Sequence, residues 1–254
     1  GIISTVAGDG TACSGSSCVG DGGPATLAKI NPTGLDVGSD GSIYIAENTV
    51  VRRVGPDGVI QRIAGDTIAC FYGRLQPCGD GQPAAQARFG SIPYLRLARD
   101  GSIYVGDNAG VAWRIDVSGI VHRVAGLGGD ERFNGYSGEG GPALLATPFH
   151  IKSLAPGADG SLLLADGDNG RLLRVGADGI ISTIVGDGMF CCSQRANDGF
   201  PTGVRVAPEF ITFGPDGTLY LSEAKANCCG GTGHNIHTLS AWYTGYQNQP
   251  FKIP

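Results

Sequence analysis

Apolar and polar residues alternate along this chain in short runs, and the runs recur. Gly1-Ile2-Ile3-Ser4-Thr5 leads into Val6-Ala7-Gly8, and the tripeptide returns as Ile63-Ala64-Gly65, Val124-Ala125-Gly126 and Ile184-Val185-Gly186. A second marker, Asp40-Gly41, comes back as Asp100-Gly101, Asp159-Gly160 and Asp216-Gly217, so both step by about 60 residues. Each of these Asp-Gly pairs is followed by an alternating apolar run: Ser42-Ile43-Tyr44-Ile45, Ser102-Ile103-Tyr104-Val105, Ser161-Leu162-Leu163-Leu164 and Thr218-Leu219-Tyr220-Leu221. Asp-Gly between alternating runs predicts a β-hairpin. Asp57-Gly58, Ser118-Gly119 and Asp178-Gly179 predict another. The first unit then holds four short strands: an inner one over Leu35 to Val37, then Ser42 to Ala46, Val50 to Val54 and Val59 to Ala64. A fixed period of this kind is the signature of a repeat architecture, and a four-stranded unit repeated four times predicts an all-β fold, a β-propeller of four-stranded blades.

Between blades lies Gly20-Asp21-Gly22-Gly23-Pro24-Ala25, echoed by Gly79-Asp80-Gly81-Gln82-Pro83-Ala84, Gly138-Glu139-Gly140-Gly141-Pro142-Ala143 and, more loosely, Asn197-Asp198-Gly199-Phe200-Pro201-Thr202. One carboxylate per unit falls short of the six to eight oxygens that calcium takes, so the motif reads as a turn.

With the Val-Ala-Gly, Gly-Asp-Gly-Gly-Pro-Ala and Asp-Gly-Ser-Ile-Tyr-Ile-Ala-Glu motifs in four copies, the unit resembles the long bacterial form of the NHL repeat, and also the propeller of teneurin-like and Rhs-like proteins. The resemblance reaches from residue 1 to about residue 239 and implies a propeller with units near 1–58, 59–119, 120–179 and 180–239, followed by a C-terminal extension or linker at 240–254. It fixes no activity, since such propellers include extracellular binding domains, shell proteins and a few lyases. Family members commonly have six blades, so the resemblance leaves open that these four repeats are a segment of a larger ring. Here the last unit has no Ile-Ile-Ser-Thr-Val strand of its own while the chain starts on one, so Gly1 to Ala7 is expected to pair with the last blade and close the ring.

Composition narrows the functional classes. A formal charge of −5 without runs of either sign argues against nucleic acid or an anionic membrane as partner. No apolar stretch approaches the ~20 residues a membrane helix needs, and no basic-then-apolar leader precedes Gly1, which reads as a mature or trimmed start. The eight cysteines are even in number and lie in loops, which favours disulfides and a secreted, extracellular or periplasmic protein. Cys13 and Cys18 flank one loop, and Cys70 and Cys78 flank the corresponding loop of the second unit, so each pair reads as a local bridge. Cys191-Cys192 and Cys228-Cys229 are expected to cross-link. A four-thiolate zinc site, or a bridge within each doublet, is the alternative, although adjacent cysteines fit zinc spacing poorly.

Candidate ligand residues come from alignment of the inner strands. Leu35-Asp36-Val37, Leu95-Arg96-Leu97, Ile151-Lys152-Ser153 and Ile211-Thr212-Phe213 place Asp36, Arg96, Lys152 and Thr212 on one face, expected to line an axial channel as an anion site or as an ion-pair belt. Just before them, where the family's Pro-x-Gly survives as Pro32-Thr33-Gly34, the other units carry Tyr94, His150 and Glu209, a candidate rim site. The recurring acids Glu47, Asp107, Asp166 and Glu223 read as structural acceptors of backbone or Arg hydrogen bonds, with Arg53, Arg114 and Arg174 as the repeated bases and Thr238 in their place in the fourth unit; Asp168 adds a further carboxylate beside Asp166. His122, His150, His234 and His237 offer no converging metal set, and no nucleophile elbow or phosphate loop is present. The expectation is a secreted, disulfide-stapled propeller that binds protein, glycan or its own neighbours, with no cofactor and no resident metal. A metal-assisted lyase or hydrolase at the channel mouth is the alternative.

Overall fold

Seven Asp-Gly or Ser-Gly hairpin turns mark the strand pattern of the computed structural model, which describes the chain except for residues 12, 14–17, 71–78, 129–134, 148–150, 190–200, 225–233, 240–241, 244–249 and 252–254. In each hairpin turn the glycine has positive φ, +80° at Gly41 and +75° at Gly58, for example. A side chain would be strained there, which is why Gly follows Asp or Ser at every one of them. The preceding aspartate completes the turn: Asp40 Oδ1 accepts the Ser42 amide at 2.9 Å and its Oδ2 accepts the Ser42 hydroxyl at 2.8 Å.

These turns join strands into antiparallel meanders. The first sheet runs β1 (Gly34–Val37), β2 (Ile43–Glu47), β3 (Val50–Val54), β4 (Ile60–Ala64), in that order. The second repeats it with β5 (Tyr94–Leu97), β6 (Ile103–Gly106), β7 (Ala112–Ile115) and β8 (Val121–Ala125). The third consists of β9 (Ile151–Pro156), β10 (Leu162–Asp166), β11 (Arg171–Val175) and β12 (Ile181–Val185). The fourth has three strands, β13 (Pro208–Phe213), β14 (Leu219–Ala224) and β15 (His234–Leu239). Two further short strands, β16 (Trp242–Tyr243) and β17 (Pro250–Phe251), pair with each other. The fold is therefore all-β and built of propeller blades, grouped into two compact units, Gly1–Arg123 and Val124–Pro254.

Each unit stacks one sheet on the next. In the first, Ala46, Val51 and Ala64 from sheet one pack with Phe89, Leu95, Val105 and Trp113 from the second repeat, with Tyr44 at the margin. In the second, Leu163, Ala165 and Leu172 meet Ile211, Leu219 and Leu221. Blades can approach this closely because small residues stand at the crossing. A Cβ on Gly34 would lie 2.9 Å from the Pro93 carbonyl oxygen and 3.2 Å from Tyr94 Cα. Gly34→Ala is accordingly expected to destabilise the first unit by about 1–3 kcal/mol, as overpacking does; urea unfolding followed by Trp113 fluorescence would measure it.

The Gly-Asp-Gly-Gly-Pro-Ala segments turn out to be edge caps. Ala25 N–H donates to Gly58 O at 2.8 Å, Gly22 N–H to Ile60 O at 2.8 Å, and Ile60 N–H to Gly23 O at 3.1 Å. Pro24 bridges Val59, and the same bridges recur as Pro83 with Ile120 and Pro142 with Ile180. The free edge of each outer strand is thereby covered by the loop that precedes its own blade. The acid of the motif fastens it: Asp80 accepts the Arg123 amide at 2.8 Å, and Glu139 accepts the Thr183 amide at 2.8 Å and hydroxyl at 2.6 Å.

Gly1 to Ala7, expected to close the ring, carry the sequence pattern of an outer strand. These residues form no strand, and Ile2 and Ile3 are 98% and 99% exposed. The segment is anchored at its end, where Gly8 N–H donates to Ala25 O and Asp9 N–H to Ala28 O, both at 2.9 Å. Those bonds match Gly65 to Ala84 and Asp66 to Ala87 one repeat later.

Candidate functional site

Asp36, Arg96, Lys152 and Thr212 each occupy the middle of an inner strand, and the structure ties three of them to nearby scaffold. Asp36 lies opposite Tyr44 on the face that meets the second sheet, and its Oδ2 accepts the Leu97 amide at 2.8 Å. That is an edge cap for β5, since Leu97 belongs to an inner strand with no sheet partner on that side. Arg96 Nη1 donates to the carbonyl of Leu95 at 2.9 Å. In the second unit Lys152 Nζ sits 3.2 Å from Asp168 Oδ1, which absorbs the extra carboxylate of the Asp166-Gly167-Asp168 run. Thr212 is exposed and pairs across to Tyr220. Ser153 Oγ accepts the Ile211 amide at 3.3 Å, the same inner-edge capping that Asp36 performs.

Of the rim residues, Tyr94 opens β5 opposite Gly106 in the first unit. Glu209 is the extra residue of a β-bulge between Pro208 and Phe210 in the second. His150 lies outside the described residues.

The recurring acids of the second strand are buried acceptors. Asp107 is fully buried and takes the Ala109 and Val111 amides at 3.0 and 3.1 Å and Trp113 Nε1 at 3.0 Å. Glu47, 2% exposed, takes the Asn31 amide at 2.9 Å and faces Arg52 Nη1 at 3.4 Å. Asp166 binds Asn169 through its backbone and side chain. Glu223 accepts the Ala207 amide at 3.3 Å and sits 3.2 Å from His237 Nε2. One register position on the third strand therefore changes with each repeat, Arg52, Trp113 and His237, while the acid it serves stays. Sequence reasoning marked the acids and overlooked these partners, although Trp113 was one of only two tryptophans in the chain.

The repeated arginines take other partners. Arg53, Arg114 and Arg174 donate to the turn aspartates Asp40, Asp100 and Asp159 at 2.9, 3.0 and 2.8 Å. The Ser42 amide, then its hydroxyl and Arg53, hold Asp40 down at about 2, well under the usual carboxylate range. Asp100 and Asp216 are lowered first by the amides of Ser102 and Thr218. A depressed folded-state pKa gives stability above the unfolded value near 4 and loses it as pH falls through the folded value. The melting temperature should thus fall between about pH 4 and pH 2. Circular dichroism melts across that window, in wild type and in Asp40→Asn, measure the share of one turn: the variant's acid dependence should be shallower.

Among the described residues no group of three or more His, Cys, Asp or Glu is placed to hold a metal ion. His122 pairs with Asp116 at 2.8 Å. Cys13 and Cys18 are bridged, and Cys70 is disulfide-bonded; Cys78, Cys191, Cys192, Cys228 and Cys229 lie outside the described residues. A surface groove of about 630 Å³ runs between residues 5–11 and Thr26 and Ile30, and its one acid, Asp9, is already bonded to Thr11.

Residues 1–70 match the family model described as the Teneurin NHL domain. Teneurin-3 of Danio rerio is 30% identical over 219 residues, covering 80% of this chain and 8% of that protein. Teneurin-1 of Mus musculus is 29% identical over 241 residues, covering 86% and 9%. The chain thus spans under a tenth of the length of these relatives. Among solved structures, a structural genomics protein of unknown function from Bacteroides thetaiotaomicron superposes with a TM-score of 0.52 at 18% identity, over 74% of this chain and 43% of that one. Four repeat copies, their blade-like sheets and these matches together place the chain in the NHL-repeat β-propeller family, with a sequence similar to the NHL domain of teneurins.

Proposed function

We propose that this chain is an extracellular, disulfide-stapled interaction module whose partner is a protein. One observation carries the reading: Asp36, Arg96 and Lys152 are bonded to the scaffold, whereas Leu35 and Val37 on the first sheet are 59% and 56% exposed. Aliphatic side chains standing outward side by side on one sheet suit association with another protein. The likeness to the Teneurin NHL domain supports an interaction role, and the Cys13–Cys18 bridge supports an oxidising compartment.

Elemental analysis of the purified chain tests this against metal-assisted chemistry, since a stoichiometric divalent metal removed by mutation of His150 would overturn the module. Intact mass before and after reduction should differ by about eight hydrogens, one pair per disulfide. Replacing Cys13 and Cys18 by serine should cost about 2 kcal/mol of unfolding free energy, the loop-entropy value for so short a loop. A free-thiol count of eight in protein secreted through an oxidising compartment would contradict the stapled state.

A further inference from the structure

Three of the loops that follow a Val-Ala-Gly-type run are built on one frame, and they differ in what the frame holds. Asp9, Asp66 and Asp187 each come directly after the glycine. Each Oδ1 accepts the amide two residues on, Thr11 at 2.8 Å, Ile68 at 2.9 Å and Met189 at 2.9 Å. In two of them a base reaches the other oxygen: Arg88 Nε lies 2.7 Å from Asp66 Oδ2, and Arg205 Nε 3.3 Å from Asp187 Oδ2. The side chain presented by the turn stands exposed, Ile68 at 51% and Met189 at 56%.

Met189 is the single methionine of the chain, and its sulfur has a partner. Arg205 Nη2 donates to Met189 Sδ at 3.1 Å. Asp187 therefore fixes both the Met189 amide and the cation that touches the Met189 sulfur. The backbone is held as well. A Cβ on Gly170 would lie 2.9 Å from the Met189 carbonyl oxygen, and one on Gly188 would run into the Arg171 guanidinium. Methionine ordinarily fills irregular gaps in a core, and a side chain more than half exposed is not spent on that. What remains is a soft, oxidisable thioether, open to small reagents and held in one orientation by a positive charge.

We propose that Met189 is a site of reversible oxidation by hydrogen peroxide or an organic hydroperoxide, with Arg205 as the positioning residue that directs oxygen to one side of the sulfur. A lone pair of Sδ attacks one peroxide oxygen, and the S–O bond forms as the O–O bond breaks. The sulfur is oxidised by two electrons and the peroxide is reduced by two. The proton on the transferred oxygen moves to the departing oxygen, which leaves as water or alcohol. Sulfur carries two lone pairs, and the Arg205 N–H holds one of them. Oxygen enters on the other, so the sulfoxide forms mainly as one of its two epimers. Each epimer has its own reductase, so one class of reductase reverses the change. The modification turns an exposed apolar tip polar and leaves the core alone, since neither Met189 nor Arg205 belongs to the cluster that joins the third and fourth sheets.

Treatment of the folded full chain with hydrogen peroxide tests this, read by mass spectrometry of the chain and its peptides. One oxygen, about 16 Da, should be added and should map to Met189. The rate should match that of the same chain in urea, because an exposed thioether reacts without unfolding. Digestion with the two epimer-specific reductases in turn should show at least about a twofold excess of one epimer from folded protein, and equal amounts from protein oxidised in urea. Arg205→Ala, its fold verified by circular dichroism, should give nearly equal epimers. The folded-against-urea comparison of wild type needs no variant and stands if Arg205→Ala does not fold. Oxidation about tenfold slower in the folded chain than in urea overturns the site. Equal epimers from folded wild type, or a bias that persists in folded Arg205→Ala, overturn the role of Arg205.

Discussion

Trp113→Ala should lower the unfolding free energy of the first unit by about 3–5 kcal/mol, the range for truncating a buried aromatic. Trp113 has no exposed surface and packs edge-on against Phe89, with ring centroids 5.9 Å apart at 74°. It lies in the cluster that joins the first two sheets, with Val51, Leu95 and Val105. Its loss opens a cavity at a sheet junction, where neighbouring strands are held by their ladders and collapse poorly. It also removes one of the donors to Asp107, which keeps the Gly90, Ala109 and Val111 amides. Trp113→Phe separates the two effects. Most of the apolar volume returns while the indole N–H does not, so the remaining deficit, about 1–3 kcal/mol, reports the hydrogen bond to a buried carboxylate. Chemical denaturation of the three proteins gives the comparison; equal stability of wild type and Trp113→Ala would refute the assignment of this cluster as the first unit's core.

The second large effect concerns Arg52 and Glu47, the corresponding pair one repeat earlier. Arg52 is 1% exposed, donates through Nε to Asp21 at 2.9 Å and through Nη1 to the Lys29 carbonyl at 2.9 Å, and faces Glu47 at 3.4 Å. Burial raises the Glu47 pKa against the opposing pull of the Asn31 amide and Arg52. Arg52→Ala leaves that carboxylate without its cation and should cost about 3–5 kcal/mol at neutral pH. The pH dependence gives the sign. A folded-state pKa above the unfolded one means that the native protein takes up this proton first as pH falls. The penalty on Arg52→Ala should therefore begin to shrink above the ordinary Glu range near 4.3. Replacing both residues, Arg52→Met with Glu47→Leu, is expected to recover most of the loss. A double variant as unstable as Arg52→Ala alone would show that Asp21 and Lys29 carry the energy instead.

How far the residues disclosed these features depends on their range. Turns and strands were legible because an Asp-Gly turn is decided within five residues, and Gly38 to Ser42 contain the atoms that close it. The capping role of Gly-Asp-Gly-Gly-Pro-Ala was hidden because its partners, Gly58 and Ile60, lie about 35 residues on. Asp36 was expected to face an axial channel, and its carboxylate is taken up by the Leu97 amide, 61 residues away. Repetition correctly marked Glu47, Asp107, Asp166 and Glu223 as structural. It could not reveal that the repeated arginines serve the turn aspartates, since both acids recur with the same period.

The edge caps also make the protein's solubility depend on backbone continuity at four residues per repeat. A protease cut between Gly22 and Ala25 would leave every strand of the first sheet intact while freeing the ladder groups of β4. The nicked chain would keep its fold and gain an adhesive, amyloid-competent border.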